Sequence, residues 1–238
     1  MEQTLEKQKS EWRFGCIDGT VLKLIAMATM LIDHIGDIFF PDVFWMRFIG
    51  RIAMPIFSFC IAEGFSYTRD KKKYLLRLGI FALISELPFD LAFFREFLYF
   101  GHQNVMVTFF LAVLMLMLWD RITAAEGKPK PGQVIAGIIV LMAMCIFAIL
   151  LSTDYSCFGI MTVWIFYQLR KQAHWLRSLV GVGFLALTRT MGYNIGVVLS
   201  LIPLLLYNGK KGKGLKWLFY VFYPGHLLVL YLIYTLIK

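Results

Sequence analysis

From residue 20 onward, long apolar runs alternate with short polar gaps along the whole chain. The runs fall at about 20–40, 46–68, 74–93, 103–119, 133–152, 155–169, 175–188, 192–207 and 216–237. Most have the length an α-helix needs to cross a hydrocarbon core of ~30 Å at about 1.5 Å per residue. Backbone in lipid must satisfy its own hydrogen bonds, so the runs predict helices. The fold predicted is an all-α, polytopic transmembrane helical bundle of about nine spans, bounded by eight and ten. The runs at 155–169 and 175–188 are short, and read as a tilted pair or a hairpin that does not fully cross. Pro55 lies inside a run and predicts a kink, because proline removes a backbone donor and clashes with the preceding turn. Tyr223-Pro224-Gly225-His226 likewise predicts a kinked or broken last helix.

Composition agrees: 59% of the 238 residues are hydrophobic, in runs that a soluble domain would not carry. Residues 1–19 are polar and mixed in charge, without the apolar stretch of a cleavable signal. They read as an N-terminal segment ahead of a single transmembrane domain over 20–238. The net charge of +9 is unevenly spread. With nine spans, one side of the membrane receives the lysines and arginines of the N-terminus, Lys23 at the inner edge of the first run, and those of the gaps at 69–77, 120–132, 170–177 and 208–216, 19 of the 24 in the chain. By the positive-inside rule that side is cytoplasmic, and the N-terminus with it. These cations are scattered over short loops and do not gather in one groove, which excludes nucleic acid as a partner. Cys16, Cys60, Cys145 and Cys157 have neither a CxxC nor a paired Cys/His spacing, so neither a disulfide framework nor a metal is indicated.

Ionisable residues inside spans are costly and mark function first. The first span, KLIAMATMLIDH, carries Lys23 and His34 eleven positions apart. Three helical turns separate them, so they share a face about 16 Å apart. Asp33 and Asp37 flank His34, and a carboxylate beside an imidazole raises its basicity, as a general base requires. The plainer reading is an interhelical hydrogen bond that glues helices. In the second run Arg47 and Arg51 are one turn apart; they neutralise Asp33 and Asp37, hold an anionic part of a substrate, or snorkel outward. Arg69, Lys72, Lys73 and Arg77 form a basic mouth near its inner end. Glu86 and Asp90 are one turn apart around Pro88, Asn104 follows, and His226 sits after the last Pro-Gly. The spans thus aim ionisable groups at one zone between mid-membrane and one surface. His102 is at a loop edge and reads as solvated.

LKLIAMATMLIDHIGDIFFP, RFIGRIAMPIFSFCIAEGF, RLGIFALISELPFDL and YPGHLLVLYLIY resemble the TraX family, whose namesake acetylates the N-terminus of conjugative pilin. The similarity runs through nearly the whole chain. The Lys23-to-His34 spacing also resembles the Arg-x10-His signature of type-three membrane acyltransferases, with lysine in place of arginine; charge is kept and bidentate geometry lost. The resemblance implies a bacterial inner-membrane acetyltransferase that takes acetyl-CoA from the cytoplasm. The acceptor at the outer face is a peptide N-terminus, a sugar or a small amine. In that reading His34 is the base, Asp37 and then Asp33 orient it, and Arg51 or Arg47 stabilises the oxyanion. Lys23 and the basic mouth meet the CoA phosphates, and Arg47, Glu86, Asp90, Asn104 and His226 hold the acceptor. The rival reading is a proton-coupled transporter that uses Asp33, His34, Asp37, Glu86 and Asp90 as a relay.

Overall fold

The computed structural model describes residues 15–123, 129–188 and 193–237. Most of the N-terminal segment, part of the 120–132 loop and Arg189 lie outside the described residues. The described chain is helical: α1 Gly19–Phe39, α2 Phe44–Gly50, α3 Ala53–Tyr67, α4 Lys71–Phe93, α5 Val105–Thr123, α6 Pro131–Leu150, α7 Ser156–Gln168, α8 His174–Leu187, α9 Tyr193–Leu199, α10 Leu201–Leu205 and α11 Lys216–Ile237. Two isolated bridges, Ile17 to Tyr207 and Gln103 to Thr153, are the β-type contacts among these residues. Each predicted apolar run is matched by one helix or by a broken pair. Phe44–Tyr67, Val105–Thr123, Pro131–Leu150 and Lys216–Ile237 are long and apolar enough to cross a membrane. His174–Leu187 and Tyr193–Leu205 are shorter apolar helices. This is a membrane protein.

Local chemistry sets the helix ends. The Asp18 carboxylate accepts the Thr20 and Val21 N–H groups at 2.8 and 3.0 Å and starts α1. Asp70 accepts the Lys73 N–H at 2.9 Å and starts α4; that bond holds its carboxyl below the usual carboxylate range. The span made of α2 and α3 breaks at Arg51 and Ile52. Pro55, four residues past Arg51, has no N–H for the Arg51 carbonyl, and its ring crowds that turn. Pro203 lies four residues past Leu199, the last residue of α9, and likewise has no N–H for that carbonyl at the α9–α10 break. The last span differs from its expectation. α11 runs from Lys216 to Ile237 without a break, with Pro224 inside it. Losing one helical hydrogen bond costs less than undocking α11 from α4 and α1, its main neighbours.

The short α7 sits centrally, packed against α3, α5, α6 and α8. Phe59, Phe65, Leu116, Ile160, Phe166 and Leu185 are among the fully buried side chains of the core. At thirteen residues α7 is about 20 Å long, too short to cross the hydrocarbon alone. α1 packs beside this core against α2, α3 and α11. Glycines allow its close approach to α2: a Cβ on Gly36 would lie 2.7 Å from the Met46 Cβ, and one on Gly50 2.2 Å from the Asp33 Cβ.

Candidate functional site

α1, the α2–α3 break, the end of α4, the loop before α7 and α11 enclose a cavity of about 360 Å³. Asp33, His34 and Asp37 reach it from α1, as expected for residues one turn apart on one helix face. Arg47 Nη1 lies 3.3 Å from Asp33 Oδ2 and 3.2 Å from Asp37 Oδ2. Arg51 Nη2 is 3.9 Å from Asp33 Oδ1, and its Nη1 donates to the Tyr155 hydroxyl at 3.3 Å. Two arginines and two carboxylates therefore neutralise one another on the cavity wall. Asp37 keeps the largest exposed fraction of the set, at 39%.

His34 does not pair with these aspartates. Its Nδ1 lies 2.7 Å from Nε2 of His226, with the two rings edge to edge and nearly coplanar, 11° apart, and their centroids 5.0 Å apart. The His226 Nδ1 is 2.7 Å from the Phe222 carbonyl oxygen. Phe93 packs edge-on against the His34 ring at 5.1 Å. The contact on the imidazole thus comes from His226, where the sequence reading expected Asp37. His226 stands behind His34 and is not among the cavity's lining residues.

The loop before α7 contributes Asp154 and Tyr155, which no sequence signal marked. Ser152, Tyr155 and Ser156 have φ of 50°, 61° and 45°. Left-handed backbone is unfavourable for residues other than glycine and persists only where surrounding contacts impose it. Those contacts are the Gln103 N–H to the Ser152 carbonyl at 3.2 Å, the Asp154 N–H to the Gln103 carbonyl at 2.8 Å, and the Thr108 hydroxyl to the Asp154 carbonyl. His102, expected to be solvated, lines the cavity and stacks on Phe89 at 5.9 Å.

A second cavity of about 450 Å³ opens among α1, α3, α4, α5 and the start of α11. Lys23, Arg69, Arg77, Lys211 and Lys216 line it, and no carboxylate does among the described residues. Tyr67, Tyr74, Phe219 and Tyr220 add aromatic faces, with Lys23 Nζ 4.9 Å from the Phe219 ring centre. Lys211 and Lys216 belong to a stretch that the sequence reading used only for topology. Met30, Phe57, Val105 and Tyr223 line both cavities, so the two adjoin across these four side chains.

Several expected site residues lie elsewhere. Lys72 and Lys73 are exposed outside the basic cavity, and Lys73 pairs with Asp70 at 3.3 Å. Asn104 donates to the Ala82 carbonyl at 2.9 Å and to Glu86, while its Oδ1 accepts the Met106 N–H at 2.9 Å. Asp90 accepts the Tyr99 N–H at 2.9 Å. Glu86, Asp90 and Asn104 tie α4 to the following loop and to α5, and none lines either cavity. The predicted zone of carboxylates and histidine is therefore two separate clusters.

The chain matches the model of the TraX protein family over residues 18–234. A protein of Dichelobacter nodosus described as probable fimbrial assembly protein FimC, serogroup H1, is 32% identical over 242 residues, covering 88% of this chain and 92% of that protein. An uncharacterized protein of Rickettsia prowazekii (strain Madrid E) is 36% identical over 91 residues, covering 38% of this chain and 33% of that protein. No solved structure matches. Because the family match runs from the Asp18 cap of α1 into the last turns of α11, and so takes in every helix that lines the two cavities, the chain belongs to the TraX family.

Proposed function

We propose that this protein transfers an acetyl group from acetyl-CoA to an amine or hydroxyl on the far side of the membrane, with His34 as general base. The observation that carries this reading is the pair of adjoining cavities. One is cationic and aromatic, suited to a nucleotide polyphosphate; the other holds the histidine. Lys23 and His34 stand about 16 Å apart on α1, and an extended pantetheine arm spans a comparable distance. The thioester would cross between Met30, Phe57, Val105 and Tyr223. Lys23, Arg69 and Arg77 would meet the phosphates, and the exposed Lys72 and Lys73 add to the field at the mouth. The charge bias along the chain supports a cytoplasmic position for that mouth.

In the reaction the acceptor nitrogen or oxygen attacks the thioester carbonyl carbon as His34 Nε2 takes its proton. The new C–N or C–O bond forms and the C–S bond breaks. The leaving thiolate recovers the proton from His34 and departs as CoA. Arg51 or Arg47 faces the negative charge that develops on the carbonyl oxygen. Asp33 and Asp37 hold the two arginines in place. General-base assistance of this kind is worth about 10²–10⁴-fold. Family membership and the relative described as a fimbrial assembly protein make a pilin-type peptide N-terminus the first acceptor to try.

The test uses the purified protein in lipid nanodiscs. CoA should raise its thermal midpoint. Acetyl-CoA should release free thiol only when an acceptor is present, comparing a pilin-type peptide, a sugar and a small amine. Absence of both CoA stabilisation and thiol release with every acceptor class would refute the reading.

A further inference from the structure

We propose that His226 is a positioning residue that locks His34 in the one neutral tautomer able to serve as a base. The proposal rests on the reading of His34 as the base, and extends it to a residue that never meets substrate. The geometry starts from the main chain. A carbonyl oxygen can only accept, so the 2.7 Å contact with the Phe222 carbonyl requires a proton on His226 Nδ1. A neutral His226 then has only a lone pair at Nε2. That nitrogen is 2.7 Å from His34 Nδ1, so His34 must donate through Nδ1–H. The lone pair of His34 is left on Nε2, and His34 lines the cavity. No protein partner for His34 Nε2 is found among the described residues.

The opposite tautomer of His34 would set two lone pairs against each other across the 2.7 Å gap, and would leave Nε2 with an N–H in place of its lone pair. It could not take a proton there. The nearby carboxylates do not fix the tautomer, because Asp33 and Asp37 are engaged with Arg47. The order of donors is Nδ1–H of His34 to His226, then Nδ1–H of His226 to Phe222. When His34 Nε2 takes the acceptor's proton, both bonds persist unchanged, and His226 neither gains nor loses a proton. An unbroken α11 matters here: Phe222 and His226 are one turn apart across Pro224, and continuity keeps the carbonyl within reach. His226 is 8% exposed and lies outside the cavity lining, so its action is through His34 alone.

The experiment is nitrogen NMR on the full chain in nanodiscs with ¹⁵N-labelled histidine rings. The chain has four histidines, which substitution of His102 and His174 makes assignable. Wild-type His34 is expected to show a protonated Nδ1 and an unprotonated Nε2. His226→Phe keeps an aromatic ring at this position and removes the acceptor. It should release His34 to a mixture dominated by the other tautomer, lower kcat by roughly 10²-fold and change the KM for acetyl-CoA by less than about twofold. His226→Gln, whose amide oxygen accepts, should restore Nδ1 protonation and at least about a tenth of wild-type kcat. A protonated Nε2 on wild-type His34, or an unchanged tautomer in His226→Phe, overturns the proposal. The tautomer readout needs neither acetyl-CoA nor an acetyl acceptor, so this result stands or falls separately from the acetyltransferase reading. Loss of transfer in His34→Ala with His226→Phe fully active would refute the positioning role alone.

Discussion

Two sets of paired charges of similar chemistry sit in this bundle, a group of four beside a cavity and a single pair packed between helices. Glu63 of α3 and Arg177 of α8 meet at 2.5 Å, and the Arg177 side chain is 4% exposed. Its Nε donates to the Phe166 carbonyl at 2.7 Å, and its guanidinium lies 4.4 Å from the centre of the Phe59 ring. Neither residue lines either of the two cavities described above. Asp33, Asp37, Arg47 and Arg51 carry the same kinds of charge but border open volume. The closed pair holds the short helix α8 against α3. The open set leaves guanidinium charge next to a space where a substrate oxygen can develop negative charge. A charge inside an apolar segment therefore does not by itself mark chemistry; the volume it faces separates a clamp from a site.

The sharpest way to test that contrast is His34→Ala, which should lower acetyl transfer by about 10²–10⁴-fold and leave thermal stability nearly unchanged. Retention of more than roughly a tenth of wild-type turnover would remove His34 as the base. Arg177→Met should do the opposite. Removing one partner of a closed pair strands Glu63 and costs about 3–5 kcal/mol in stability, while the folded fraction keeps its turnover. Denaturant titration in mild detergent measures this, and the double change Glu63→Gln with Arg177→Met should recover most of the loss. If Arg177→Met folds as well as wild type, the pair is not a clamp.

Arg47→Ala tests the open set. Asp33 and Asp37 lose a shared counter-ion but keep access to the cavity, so the stability cost should be smaller, about 1–2 kcal/mol. Its kcat should fall at least about tenfold. A cost as large as that of Arg177→Met would mean that both sets are structural. The smallest effect is expected at Lys23→Ala. It should raise the KM for acetyl-CoA about tenfold, or ~1.4 kcal/mol, with kcat within about twofold. Lys23→Arg should bind as wild type does. A collapsed kcat with unchanged KM would move Lys23 from donor binding to chemistry.

The helices were legible because apolar runs of membrane length have few alternatives once backbone hydrogen bonds must close internally. The α1 side of the site was legible for a local reason: Asp33, His34 and Asp37 share one face by helical periodicity alone. Glu86 and Asp90 carried the same signal and lie on a different polar cluster, since periodicity ranks faces of one helix and not the rotation of one helix against another. Arg177 was counted among loop cations because position in a run says nothing about a partner 114 residues away. Asp154 and Tyr155 left no mark, as their placement depends on left-handed backbone held by long-range contacts.

The helical class, the membrane setting, the family resemblance and the three-turn rise from Lys23 to His34 can all be read along the chain. Each follows from composition, periodicity or contiguous residues, which act within about one helix length. Helix packing sets which charges face open volume, and brings two cavities together at Met30, Phe57, Val105 and Tyr223. It alone set His226 against His34, and so determined the donor order on the imidazole. Residues 192 positions apart meet there because α11 packs along α1. That docking is decided by the summed fit of two helix surfaces, and no local run of residues encodes it.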